Sequence, residues 1–171
     1  MKCKLFVAGA CSAAMLFVPL AVRAASLNKA DMQFMKMAAT ANMTEAHLGQ
    51  MAEAQASGQN VKDFGKKLSM DHTASYEGLS VLANKVGEQI PKAIGRDRTI
   101  ARLEHLKGKA FDRTFAQDEV QSHKTVIMEF KNEAEHGENA DVKAWAKDMI
   151  PTLEGHLKSA EELESQTKTA K

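Results

Sequence analysis

Five ionisable side chains fall where helices of this chain would otherwise place apolar ones: Glu45, His72, Glu119, His123 and His156. Set at about 100° per residue, Glu45 shares a helix face with Phe34, Ala38, Leu48 and Ala52. His72 lies on the stripe of Val61, Phe64, Leu68 and Leu79, with Asp71 at its edge. Glu119 and His123 sit one turn apart among Phe115, Val120, Ile127 and Phe130, and His156 sits between Leu153 and Ala160. Burying an unpaired charge costs several kcal/mol, so such groups must pair, hydrogen-bond or bind a cation. Two carboxylates and three neutral imidazoles form a hard-to-borderline donor set that suits zinc, iron, manganese, nickel or copper(II). Asp71 would orient His72 from behind. The same five residues could instead satisfy one another as Glu–His pairs that fix helix register, and both readings fit the pattern.

The elements that must carry these residues are helices. The sequence after the leader is rich in Ala, Met, Leu, Lys, Glu and Gln and shows little period-2 alternation. The spacing predicts a first helix from about Asn28 to Ser57, stopped by Gly58, and a second capped by Asn60 and running to about Lys85. A third is expected from about Lys109 to His136, ended by Gly137, and a fourth from near Asn139 to Glu164, with Gln166–Lys171 as a flexible polar tail. The link between the second and third carries Pro91, Gly95 and a short amphipathic piece around Ile100, Leu103 and Leu106. Two hairpins joined by one long crossover make an all-α, ferritin-like four-helix bundle, expected over residues 25–165. An internal repeat supports the pairing of hairpins. Asp31-x-x-Phe34 recurs as Asp112-x-x-Phe115, and Val61-Lys62-x-Phe64 as Val142-Lys143-x-Trp145, both 81 residues on. Counted from the bends, all five core polar residues fall near mid-bundle, where they would converge.

Residues 1–24 read as a cleaved secretory signal: a basic start, an apolar run, and Val22-Arg23-Ala24 before the cut. Both cysteines, Cys3 and Cys11, lie in that leader, so the remainder has no thiol ligand or disulfide. Without the leader the charge is 20 basic against 22 acidic residues, which argues against a nucleic-acid partner. The expected compartment is the periplasm or cell envelope, with outer-membrane association and homo-oligomerisation left open.

The Glu-x-x-His pairs of di-iron bundles are missing: Ser69 and Leu153 stand three before His72 and His156. Glu133 and His136 form the one such pair, at the end of the third helix, where solvent exposure is expected. Five methionines of the first helix, Met32, Met35, Met37, Met43 and Met51, point around it, as adaptable packing would have them. Pro151 removes a backbone donor inside the fourth helix. His47 and His105 read as surface residues.

Glu45, Asp71-His72, Phe111-Asp112, His123 and Pro151-Thr152-Leu153-Glu154-Gly155-His156 together resemble the bacterial domain-of-unknown-function family 4142, over about Asn28 to Leu163. The resemblance implies an exported, ferritin-like bundle often labelled a membrane or outer-membrane protein, and matches Glu45, His72, His123 and His156 to family positions. It supplies no activity, and Glu119 rests on the stripe argument alone. The expected function is a metal-binding or stress-related envelope protein without established catalysis, with zinc, iron, manganese or copper as the cation. A structural or interaction module is the alternative, and a metal-dependent oxidoreductase or hydrolase a third reading.

Overall fold

The computed structural model describes residues 27–169, and the signal peptide expected over residues 1–24 lies outside them. Among the described residues all regular structure is helical: α1 (Lys29–Gln55), α2 (Gln59–Val86), a short α3 (Arg98–Leu103), α4 (Gly108–His136) and α5 (Ala140–Thr169). Asn28 starts α1 with a capping box, accepting from the Asp31 amide while the Asp31 carboxylate accepts from the Asn28 amide. At α2 the cap is Gly58 rather than Asn60, which lies inside the helix and bonds Gln166 across to α5. Gly87 ends α2 in the left-handed region, with φ 75°. α5 continues to Thr169, so Gln166–Thr169 extend the helix where a flexible tail was expected.

α1 and α2 form one hairpin, α4 and α5 the other, and the hairpins join through α2 against α5 and α1 against α4. Lys85 pairs with Asp141 and Asp71 with His156, so α2 and α5 are antiparallel. Phe34 meets Phe130 and Glu45 meets Ser122, so α1 and α4 are antiparallel as well. α2 and α4 therefore run the same way, in the up-down-down-up order of a ferritin-like bundle with one long crossover.

The apolar core is two clusters, not one. Phe64, Leu68, Phe111, Phe115 and Leu103 fill the end near the α1–α2 bend. Phe34, Met35, Leu79, Phe130 and Val142 fill the end near the α4–α5 bend. In each long helix a polar core residue, Glu45, His72, His123 or His156, falls in the gap between them, and Glu119 sits one turn before His123 at the edge of the first cluster. α1 crosses α2 at two glycines. A Cβ on Gly49 would strike the Gly65 carbonyl oxygen and lie 2.7 Å from the Ser69 amide nitrogen. A Cβ on Gly65 would lie 2.7 Å from the Gly49 carbonyl oxygen. This backbone-to-backbone approach, one turn past Glu45, brings the polar faces of α1 and α2 together.

Candidate metal centre

Between the two apolar clusters, the three imidazoles stand in a near-equilateral triangle. Ring centroids are 5.2 Å apart for His72 and His156, 5.3 Å for His123 and His156, and 5.8 Å for His72 and His123. All three are buried, as are Glu45 and Glu119. One ligand atom each from His72, His123 and His156 lies within 4.8 Å of the others, and the same holds for Glu45, Glu119 and His123. The structure thus brings all five residues singled out in the sequence into one layer.

Each imidazole has one nitrogen tied to the scaffold. Asn42 donates its Nδ2 to the Ala38 carbonyl, which leaves its Oδ1 to accept from His72 Nδ1 at 2.8 Å. His123 Nδ1 donates to the Glu119 carbonyl at 3.0 Å. His156 Nε2 donates to Asp71 Oδ2 at 2.8 Å. In a neutral imidazole the acceptor fixes where the proton sits, and the other nitrogen carries a bare lone pair. Those nitrogens, His72 Nε2, His123 Nε2 and His156 Nδ1, are buried and have no hydrogen-bond partner. Three lone pairs gathered without a donor repel one another, and a cation satisfies all three at once. Carbonyl or carboxylate groups behind ligating imidazoles are the usual arrangement of metal-bound histidines.

The charges fit the same reading. Burial pushes the His72 pKa down to about 4, outweighing the attraction of Glu45, so its ring is neutral at pH 7. Burial lowers His156 too, against the pull of its bond to Asp71. Burial and the neighbouring charge of Glu45 raise Glu119 well above the usual carboxylate range. Burial also acts to raise Glu45, but the attraction of His123 and His72 and bonds from Glu119 and Ser122 outweigh it. Ser122 Oγ donates to Glu45 Oε1 at 2.6 Å, and a protonated Glu119 shares its proton with Glu45. Glu45 Oε2 and both Glu119 oxygens otherwise lack a donor.

Asp71 meets a different histidine from the expected one. It sits next to His72 in sequence, but successive helical residues point about 100° apart, so it reaches across to His156 on α5. Burial acts to raise the Asp71 pKa, yet its bonds to Lys67 and His156 lower it, and Lys67 pairs with it at the surface. His72 is held instead by Asn42, which the sequence reading passed over, as it did Ser122. Both stand on the core side of their helices, Asn42 three residues before Glu45, and that spacing was the available signal. Glu133 also departs from expectation: His136 is exposed, but Glu133 is buried against Asp31. Burial and the Asp31 carboxylate raise its pKa to about 7. His47 is half-buried and His105 exposed.

A cavity of about 700 Å³ adjoins the three histidines. Its wall is mainly apolar, with Phe130, Trp145, Met149 and Leu153, and it opens between α2 and α5 at Ala74, Gly78, Pro151 and Thr152. Pro151, inside α5, offers no backbone N–H to the carbonyl one turn earlier. The arrangement can hold a cation on neutral nitrogens and leave a face of it open to a second ligand.

Solved structures share the fold. A DUF305 fragment from Deinococcus radiodurans superposes with a TM-score of 0.73 at 11% identity, over 82% of this chain and 99% of that one. The Cu(II)-bound form of CopM gives 0.68 at 15% identity, over 80% and 96%. Its Cu(I)-bound form gives 0.68 at 16% identity over the same shares. No curated protein matches this chain in sequence. The profile described as "Domain of unknown function (DUF4142)" matches residues 18–163, which is most of the chain, and the protein belongs to that family.

Proposed function

We propose that this protein binds a transition-metal cation in the middle of its bundle, through His72, His123 and His156 with Glu45 and Glu119 supplying charge. The observation that carries the reading is the set of three buried imidazole nitrogens without a hydrogen-bond partner, on three rings that each bring a ligand atom within 4.8 Å of the others. Neutral nitrogen ligands suit borderline cations, so copper and zinc stand ahead of manganese and iron. Copper gains further support from CopM, a protein of the same fold bound to Cu(I) and Cu(II). The compartment is outside the cytoplasm, as the leader sequence suggests. No described helix is long and apolar enough to cross a membrane, and a DUF305 protein of Streptomyces coelicolor with this fold is described as a "putative secreted protein". A handling or stress role in the envelope follows from that placement.

The apolar cavity beside the histidines favours a second reading, a metal-dependent enzyme whose substrate comes in between α2 and α5. The deciding experiment is elemental analysis of untagged protein purified from the periplasm without chelators, beside a His72→Ala/His123→Ala double variant. Near-stoichiometric metal in the parent and none in the variant is expected. A parent that comes metal-free and also takes up no copper, zinc, iron or manganese overturns the reading.

A further inference from the structure

We infer that the core holds two cation positions of different chemistry, a nitrogen position at the three histidines and an oxygen position at Glu45 and Glu119. This rests on the metal-binding reading above and extends it.

The argument begins with what one cation leaves unsatisfied. An ion bonded to His72 Nε2, His123 Nε2 and His156 Nδ1 accounts for every orphaned imidazole nitrogen. Glu45 Oε2 can turn to that ion. Both oxygens of Glu119, a residue with 0% exposure, still receive no hydrogen bond, with His123 Nδ1 3.4 Å from Oε2. Without an ion, the proton that Glu119 shares with Glu45 keeps the two adjoining carboxyl groups from repelling; a divalent ion between them displaces that proton and fills the vacant lone pairs together. Glu45 and Glu119 offer oxygens within 4.8 Å of one another, so the spacing accommodates an ion between them.

The two donor sets also face different openings. The cavity between α2 and α5 is lined by all three histidines and by Glu45, but not by Glu119. A second hollow of about 350 Å³, between α1, α4 and the crossover, is lined by Glu119 and Glu45 and by none of the histidines. Its rim is acidic and hydroxylic: Asp97, Asp118, Thr44 and Ser122. Asp118 Oδ2 is buried without a partner there, although Oδ1 pairs with Arg102 on α3. Carboxylate and hydroxyl oxygens suit a hard or borderline divalent ion such as Mn²⁺ or Zn²⁺.

Zinc alone is the probe, because it accepts either donor set. The protein lacking its leader is dialysed to equilibrium against Zn²⁺ and the bound zinc is counted by elemental analysis. Two equivalents are expected. Glu119→Gln is expected to keep one, and His72→Ala/His156→Ala to keep one, each with unchanged helix content. Should Glu119→Gln fail to fold, Glu119→Asp serves: two equivalents remain and the second weakens by about tenfold or more. Saturation of the parent at one equivalent overturns the second position while leaving the first intact. Loss of all zinc in Glu119→Gln also overturns it, because the five residues then act as one site. No zinc in any form overturns both this inference and the reading it rests on.

Discussion

Asp31 and Asp112 each cap the bend of the hairpin to which they do not belong. Asp112, near the start of α4, accepts from the amides of Ser57 and Gly58 and from the Ser57 hydroxyl, at 2.9, 2.9 and 2.6 Å, and so closes the α1–α2 bend. Asp31, near the start of α1, accepts from the amides of Glu138 and Asn139 at 3.0 and 3.1 Å, and closes the α4–α5 bend. The 81-residue repeat seen in the sequence is therefore a reciprocal lock between the two hairpins. Asp112→Ala leaves three donors at the bend without their acceptor, and hydrogen bonds to charged groups contribute about 1.5–3 kcal/mol each, not additively. A loss of about 2–4 kcal/mol is expected in urea unfolding, with the helical signal retained in water. A midpoint unchanged within error counts against the lock.

The crossing of α1 and α2 makes a second prediction. Gly49→Ala sets a methyl group against the Gly65 carbonyl and the Ser69 amide, both backbone atoms that cannot swing aside. Overpacking costs about 1–3 kcal/mol, and here the upper end is expected because the helices must separate. A thermal midpoint lower by about 2–4 °C per kcal/mol follows for a chain of this size. Gly155→Ala, with open space around it, is the control and should cost nothing or stabilise the helix.

Glu133 makes stability depend on pH. Its folded pKa, about 7, lies above the ordinary carboxylate value of 4.5 because of burial and Asp31. Between those values the unfolded chain gives up the proton while the folded one keeps it. Stability therefore falls as pH rises from about 4.5 to about 7 and then levels off. Glu133→Gln keeps a neutral donor toward Asp31 at every pH. It should flatten this part of the profile and leave the variant more stable than the parent at pH 8. An unchanged slope would show that Glu133 is not the group responsible.

Asn42 and Asp71 hold His72 and His156 from behind, at 2.8 Å each. Removing such a partner typically weakens metal affinity about 10–100-fold. Asn42→Ala and Asp71→Ala are each expected to weaken copper or zinc binding by that factor in competition with a chelator of known affinity. A merely packing role would change stability and leave the dissociation constant where it was.

Much of this was readable from residue types and spacing. The helices, the crossover and the mid-height convergence of Glu45, His72, Glu119, His123 and His156 all follow from helical periodicity, because each polar residue interrupts an otherwise apolar stripe. Residue type marks Asn60 as a cap, but the bend geometry gives that position to Gly58. Sequence adjacency pairs Asp71 with His72, whereas a helix turns adjacent residues to different faces and Asp71 meets His156. Asn42 and Ser122 escaped because short polar side chains on a stripe look like tolerated edges until a partner on another helix is seen. The Gly49–Gly65 contact and the burial of Glu133 depend on how close two helices come, which no single helix's pattern records.

The polar layer opens both toward α2 and α5 and toward α1, α4 and the crossover, with Glu45 lining both hollows. Of the five core polar residues only Glu45 belongs to both walls, whereas Glu119 lines one hollow and His123 and His156 the other. A change at Glu45 therefore alters both sides of the layer at once, and a change at Glu119 or His156 alters one.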